Sequence, residues 1–163
     1  MAVNITTNSP AYVRDNTPSV ETHYHARFYF NPNSIPIGRN DSHAILNAYN
    51  TSDGAVITIQ LRFSGNAYQV RAGLLNDRNK WTYTSWVSLA SDWQPIEFDW
   101  LASTAPSTNN GSLTLSVNGG QVASITGVDN DAQSIEWVGL GAVDGVDTTT
   151  RGTYYFDAFE SYR

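Results

Sequence analysis

The sequence contains no cysteine, and only nine of its 163 residues are lysine or arginine. The first absence excludes disulfides and thiolate metal sites. The second removes the electrostatic footprint of a nucleic-acid binder: there is no basic run, and 15 acidic residues leave a net charge of −6. No stretch approaches the ~18 consecutive apolar residues of a membrane-spanning helix, so no membrane insertion is expected. No window carries sustained helical periodicity. The opening MAVNITTNSP has neither a basic start nor an apolar h-region, so residues 1–9 read as a polar lead-in to one domain over 10–163. The chain closes on TYYFDAFESYR directly after an apparent strand, which suggests a module of a longer, multidomain protein. Also missing are a Gly-x-Ser-x-Gly elbow, His-Glu-x-x-His, a phosphate loop and a dinucleotide glycine fingerprint.

What is present is β-structure. Charged residues make up only 15% of the chain, whereas Val, Ile, Thr, Tyr, Phe and Trp are plentiful and Gly and Asn punctuate them. Period-two runs recur along the whole length. VETHYHARFYFN (20–31) places Tyr24, Ala26, Phe28 and Phe30 on one face and His23, His25, Arg27 and Tyr29 on the other. AVITIQLRF (55–63) turns Ile57, Ile59, Leu61 and Phe63 inward and Gln60 and Arg62 outward. AYQVRAGLL (67–75) opposes Tyr68, Val70, Ala72 and Leu74 to Gln69 and Arg71. Further strands fall at 11–15, 43–50, 81–89, 95–101, 134–143 and 153–162. SLTLSVNGGQVASITGV (112–128) is a hairpin turned by Asn118-Gly119-Gly120, residues that supply the positive φ of a type I′ turn. About eleven short strands and no helix favour a two-sheet antiparallel jelly roll, because each apolar face needs a partner.

Four phrases, ETHYHARFYFNPNSI, WTYTSWVSLASDWQPIEFDW, NNGSLTLSVNGGQVASITGVDND and GLGAVDGVDTTTRGTYYFDAFES, resemble the laminin-G-like, concanavalin-A-like jelly rolls. The closest kind is that appended to bacterial surface and secreted proteins, and the likeness runs from about residue 10 to the end. The resemblance implies a curved β-sandwich that binds glycans, sometimes with calcium, at the cell surface or outside the cell. Glycosidases of this superfold carry Glu-x-Asp-x-Glu on a strand, or that pattern with one extra residue before the last Glu. EFDW matches the first half, with Glu97 as nucleophile and Asp99 as its partner. The acid that should follow is replaced by Leu101 and Ala102, and no carboxylate comes before Asp129. A two-carboxylate hydrolysis therefore lacks its acid/base, and the expectation is that the chain is not an enzyme.

The remaining candidates are binding groups. If their strands are neighbours, Arg27, Arg62 and Arg71 with Gln60, Gln69, His23, His25, Tyr29, Glu97 and Asp99 form one concave polar face. Guanidinium forks there suit carboxylates or sugar hydroxyls. Trp81 and Trp86 lie near loops and suit stacking against sugar rings, whereas Trp100 and Trp137 sit on alternations that look inward. The acid-rich loops VDND (128–131) and VDGVD (143–147), with Asp157 in the last strand, make Asp129, Asp131, Asp144, Asp147 and Asp157 candidate ligands of a structural calcium. No other cofactor is implied. The sequence thus reads as a lectin-like carbohydrate-binding module that holds an extended polysaccharide. The alternatives are an adhesive or structural spacer without a small ligand, and an enzyme, either a lyase with Tyr29 and His25 as acid and base or a hydrolase without the familiar motif.

Overall fold

The computed structural model describes residues 1–39 and 41–163. Thirteen strands follow one another: β1 (Ala2–Ile5), β2 (Ala11–Asp15), β3 (His23–Asn31), β4 (Ser42–Tyr49), β5 (Ala55–Ser64), β6 (Ala67–Leu75), β7 (Trp81–Tyr83), β8 (Val87–Leu89), β9 (Gln94–Leu101), β10 (Gly111–Val117), β11 (Gly120–Val128), β12 (Trp137–Asp144) and β13 (Gly152–Tyr162). They form two antiparallel sheets. The six-stranded sheet has the order β1-β13-β3-β9-β10-β11 and the seven-stranded sheet β2-β12-β4-β5-β6-β7, with β8 also on β6. Among the described residues no helix is long and apolar enough to cross a membrane.

Alternation builds the core. Tyr24, Ala26, Phe28 and Phe30 of β3 are fully buried, as are Ile96 and Trp100 of β9. They meet Ile57, Ile59 and Leu61 of β5 and Val70, Ala72 and Leu74 of β6. Each such side chain contributes on the order of 1.5–3 kcal/mol when fully buried. The hairpins close as their sequences require. Asn118 and Gly119 take φ of 55° and 77° between β10 and β11, and Gly65 and Asn66 take 61° and 63° between β5 and β6. Both are two-residue turns with positive φ at each position.

Three features depart from the sequence reading. The lead-in is part of the sandwich: β1 pairs with β13, and Val3 and Ile5 are buried against the core. The run 81–89 is two strands, because Thr84 interrupts it. Its hydroxyl accepts the Ala72 amide at 3.0 Å while its own amide donates to the Ala72 carbonyl at 2.9 Å. The chain thereby detours through Ser85 and Trp86 before β8 rejoins β6. Trp137 is buried but does not belong to the core cluster. It lies in a stack with Tyr49 (3.7 Å between ring centres) and beneath the Arg14 guanidinium (3.9 Å).

Candidate functional site

The single polar face expected from the alternation does not exist. β3 and β9 belong to the six-stranded sheet and β5 and β6 to the seven-stranded one, so their outward residues look away from opposite sides of the sandwich. His23, His25, Arg27, Tyr29, Glu97 and Asp99 form one surface. Gln60, Arg62, Gln69, Arg71, Trp81 and Trp86 belong to the other.

On the six-stranded face, register sets Arg27 opposite Glu97 and His25 opposite Asp99. His23 Nε2 lies 2.9 Å from Asp99, His25 lies 3.7 Å from Glu97 and 3.9 Å from Asp99, and Arg27 Nε lies 4.0 Å from Glu97. Arg27 also donates to the Tyr29 hydroxyl at 2.9 Å. Glu97 and Asp99 are therefore engaged by Arg27 and the two histidines, which makes this an internally paired surface. Tyr29 and His25 do not converge as acid and base. They are four positions apart on one strand, about 13 Å by the rise per residue, with Arg27 between them.

The seven-stranded face is built differently. Arg62 and Gln69 are directly paired across β5 and β6, as are Gln60 and Arg71. Arg62 Nε donates to Gln69 Oε1 at 2.7 Å, and Arg71 Nε donates to Gln60 Oε1 at 2.9 Å. Each glutamine fixes its guanidinium and leaves the two terminal nitrogens without a protein acceptor among the described residues. Neither arginine is in an ion pair among those residues. Both guanidinium carbons lie over the Trp86 ring, at 4.2 and 4.5 Å, and Arg71 also lies 4.1 Å from the centre of Tyr83. Partial burial, with the charge of Arg62 adding to it, pushes Arg71 below the usual guanidinium value, and Tyr83 opposes this. The Thr84 interruption is what delivers Trp86 to this place. Gly73 lets Tyr83 lie on the sheet: a Cβ at 73 would meet Tyr83 Cε1 at 2.6 Å and Thr58 Cγ2 at 2.8 Å.

Next to the arginines is a hollow of about 160 Å³ lined by Asn47, Thr58, Gln60, Trp81, Tyr83 and Asp144, among others. Gln60 and Tyr83 are thus shared between the hollow and Arg71. Trp81 and Tyr83 stack at 5.9 Å with 22° between their planes. Asn47 is 4% exposed. Its Nδ2 donates to the Tyr49 hydroxyl at 3.2 Å, whereas its Oδ1 has no partner. Trp81 and Trp86, expected as an exposed pair, are both half-buried and serve this face, while Trp93 is the exposed tryptophan. Tyr83, Asn47 and Thr58 are not among the binding groups chosen from the sequence. Each is one of many polar or aromatic strand residues until the sheet order is known.

The five acidic candidates do not gather. Asp144 accepts from the Gly145 amide and Asp157 from the Ala158 amide, each shaping its own turn. Asp147 accepts from the amide and hydroxyl of Thr149, bonds that hold its carboxyl below the usual value. Asp129 and Asp131 are instead joined by Asp77 of the NDRNK turn, and one carboxylate oxygen of each lies within 4.8 Å of the others. The Asp77 amide donates to the Asp129 carbonyl at 3.0 Å, which docks the two loops. Partial desolvation, then a shared hydrogen bond with Asp77 and the charges of Asp77 and Asp129, push the Asp131 carboxyl up. Three carboxylates are hard-oxygen ligands of the kind calcium takes, at half or less of its usual six to eight.

No protein-family model matches the sequence, and no curated protein matches it in sequence. Solved structures do match the fold. The alginate lyase from Alteromonas sp. 272 superposes with a TM-score of 0.59 at 8% identity, over 98% of this chain and 82% of that one. The native heptameric SAP-like pentraxin from Limulus polyphemus gives 0.64 at 9% identity, over 98% and 74%. The legume lectin-like domain from Entamoeba histolytica gives 0.58 at 14% identity, over 99% and 82%. This chain is a concanavalin-A-like jelly-roll sandwich. At such identities the likeness fixes the fold and no activity. It does correct one expectation: the missing third carboxylate does not make the chain a non-enzyme, because several of the matching structures are polysaccharide lyases, two of them alginate lyases. A fold that carries lyases does not depend on the hydrolase pattern for catalysis, so the incomplete EFDW motif excludes one mechanism only.

Proposed function

We propose that the outer face of the seven-stranded sheet binds a carboxylate-bearing polysaccharide. The observation that carries this reading is the arginine pair. Two guanidinium groups share one tryptophan ring, are anchored through Nε by glutamines, and have no carboxylate partner among the described residues of a chain whose net charge is −6. Like charges so placed repel, and a ligand carboxylate accepting from their terminal nitrogens relieves that repulsion. Trp86, Trp81 and Tyr83 offer planar surfaces to the C–H faces of the sugars. The fold adds support, since alginate, the substrate named for two of the matching structures, is itself a polyuronate. The reading puts the protein at the cell surface or outside the cell, where such polymers lie. A calcium ion would fall to Asp77, Asp129 and Asp131 and serve the loops rather than the arginine face.

The position of Tyr83 favours a second reading on the same residues, β-elimination. In that reaction a base takes the proton α to the carboxylate, the C4–O bond breaks, its electrons leave with the oxygen, and a C4=C5 double bond forms. Arg71 and Gln60 would stabilise the charge developing on the carboxylate, and the Tyr83 phenol beside them would move the proton.

Affinity electrophoresis in gels containing alginate, polygalacturonate or a neutral glucan tests the first reading. Retardation is expected in the two acidic gels only, weakened by salt and unchanged by chelator. No retardation in either acidic gel overturns it, and equal retardation by single-stranded DNA would mark a general polyanion surface instead. Ultraviolet absorbance of a new unsaturated uronate, lost in Tyr83→Phe, tests the second.

A further inference from the structure

We propose that the hollow beside Arg71 is a subsite for an uncharged, hydroxyl-bearing sugar, so that the face selects polymers in which a uronate adjoins a neutral residue. This rests on the reading of the seven-stranded face as an acidic-polysaccharide site. The chemistry of the lining carries it. Asn47 lines the hollow and is almost fully buried; its amide nitrogen is committed to Tyr49, and its carbonyl oxygen has no donor among the described residues. Buried acceptors are seldom left so, because the unmade bond is costly. A hollow walled by such groups takes a partner that both donates and accepts, as a sugar hydroxyl does. Thr58 and Gln60 add polar atoms to the same lining, and the stacked pair Trp81 and Tyr83 adds an aromatic one.

Charge decides what is refused. Asp144 is the one formally charged side chain of the lining. His43 contributes no cation, since its ring lies against Tyr154 in the core. A second uronate seated here would set its carboxylate beside Asp144, with Arg71 already engaged by the first. Because Gln60 and Tyr83 touch both the hollow and Arg71, the carboxylate and the hydroxyls come from adjoining residues of one chain.

Calorimetry with hyaluronan oligosaccharides, in which glucuronate alternates with neutral N-acetylglucosamine, and with polygalacturonate of equal length tests the proposal. The wild-type protein should prefer hyaluronan by about tenfold or more. Asn47→Ala and the near-isosteric Thr58→Val, each checked by thermal melting, should each weaken hyaluronan binding about five- to tenfold and polygalacturonate binding less than about twofold. Asp144→Asn should tighten polygalacturonate. Equal wild-type affinity for both polymers, or equal losses on both in Asn47→Ala and Thr58→Val, overturns the subsite and leaves the arginine reading standing. Binding of neither polymer, or binding untouched by Arg71→Ala, overturns both.

Discussion

His43 should make the protein acid-sensitive in a way one substitution removes. It sits 2% exposed at the start of β4, its ring stacked on Tyr154 from the opposite sheet at 5.8 Å with 7° between planes, and neither ring nitrogen has a partner. Burial pushes its pKa from 6.5 down to about 4, with the charge of Asp147 opposing the shift. Above pH 6.5 folded and unfolded chains both hold the neutral ring, and the stabilisation is fully present. As pH falls the unfolded chain takes the proton first, so stability is lost progressively until the folded ring also protonates near pH 4. The whole span is worth about 3 kcal/mol, and the part between pH 7 and pH 5 about 2 kcal/mol. For a domain of this length that is a fall in Tm of about 4–8 °C. Thermal or urea unfolding of the wild type and of His43→Phe at pH 7 and pH 5 isolates the effect, because the carboxylates titrate in both. The variant should lose about 2 kcal/mol less over that interval. Parallel pH dependences would refute the account of His43 as a neutral, desolvated core residue.

Other consequences are equally open to measurement. Gly73→Ala puts a methyl 2.6 Å from Tyr83 Cε1, so it should displace the ring and weaken polymer binding several-fold while stability changes by less than about 1 kcal/mol. Unchanged affinity would remove Tyr83 from the binding face. Gly119→Ala meets no neighbouring atom but forces an L-residue to φ 77°. It should cost about 1–2 kcal/mol in denaturant melts, and a neutral result would contradict the type I′ turn. The raised Asp131 carboxyl means that the folded state holds that proton more tightly than the unfolded chain, so its contribution to stability falls as pH rises through its titration. Asp131→Asn should therefore raise Tm at neutral pH and flatten that fall, whereas a lower Tm would show the acidic trio to be stabilising as it stands.

The faces of individual strands were legible and the partnership of strands was not. Period-two alternation assigns Tyr24, Phe28, Ile59 and Val70 to the core from local sequence alone, and each is buried. Arg27, Arg62 and Arg71 look identical by that rule, all mid-strand and outward. What separates them is pairing at long range: β3 takes β9 and β13 as neighbours, while β5 lies between β4 and β6. No local signal encodes that choice, so alternation alone yields a single mixed face, which fuses an internally paired surface with an uncompensated one. The acidic cluster shows the same limit. Asp77 looked like an ordinary turn residue in NDRNK because its link to Asp129 is a backbone hydrogen bond between distant loops. Trp137 misled in another way, since stacking between Tyr49 and Arg14 buries it as effectively as the core would.

The central claim is that the seven-stranded face, and not the internally paired face behind it, meets an acidic polymer. Two double variants decide it, Arg62→Ala/Arg71→Ala on one face and His25→Ala/Arg27→Ala on the other, titrated calorimetrically with uronate oligosaccharides at low and physiological salt. The account predicts that the first loses at least about tenfold in affinity together with its salt dependence, while the second binds as the wild type does. Loss of binding confined to the second variant, or equal binding by both, would contradict it.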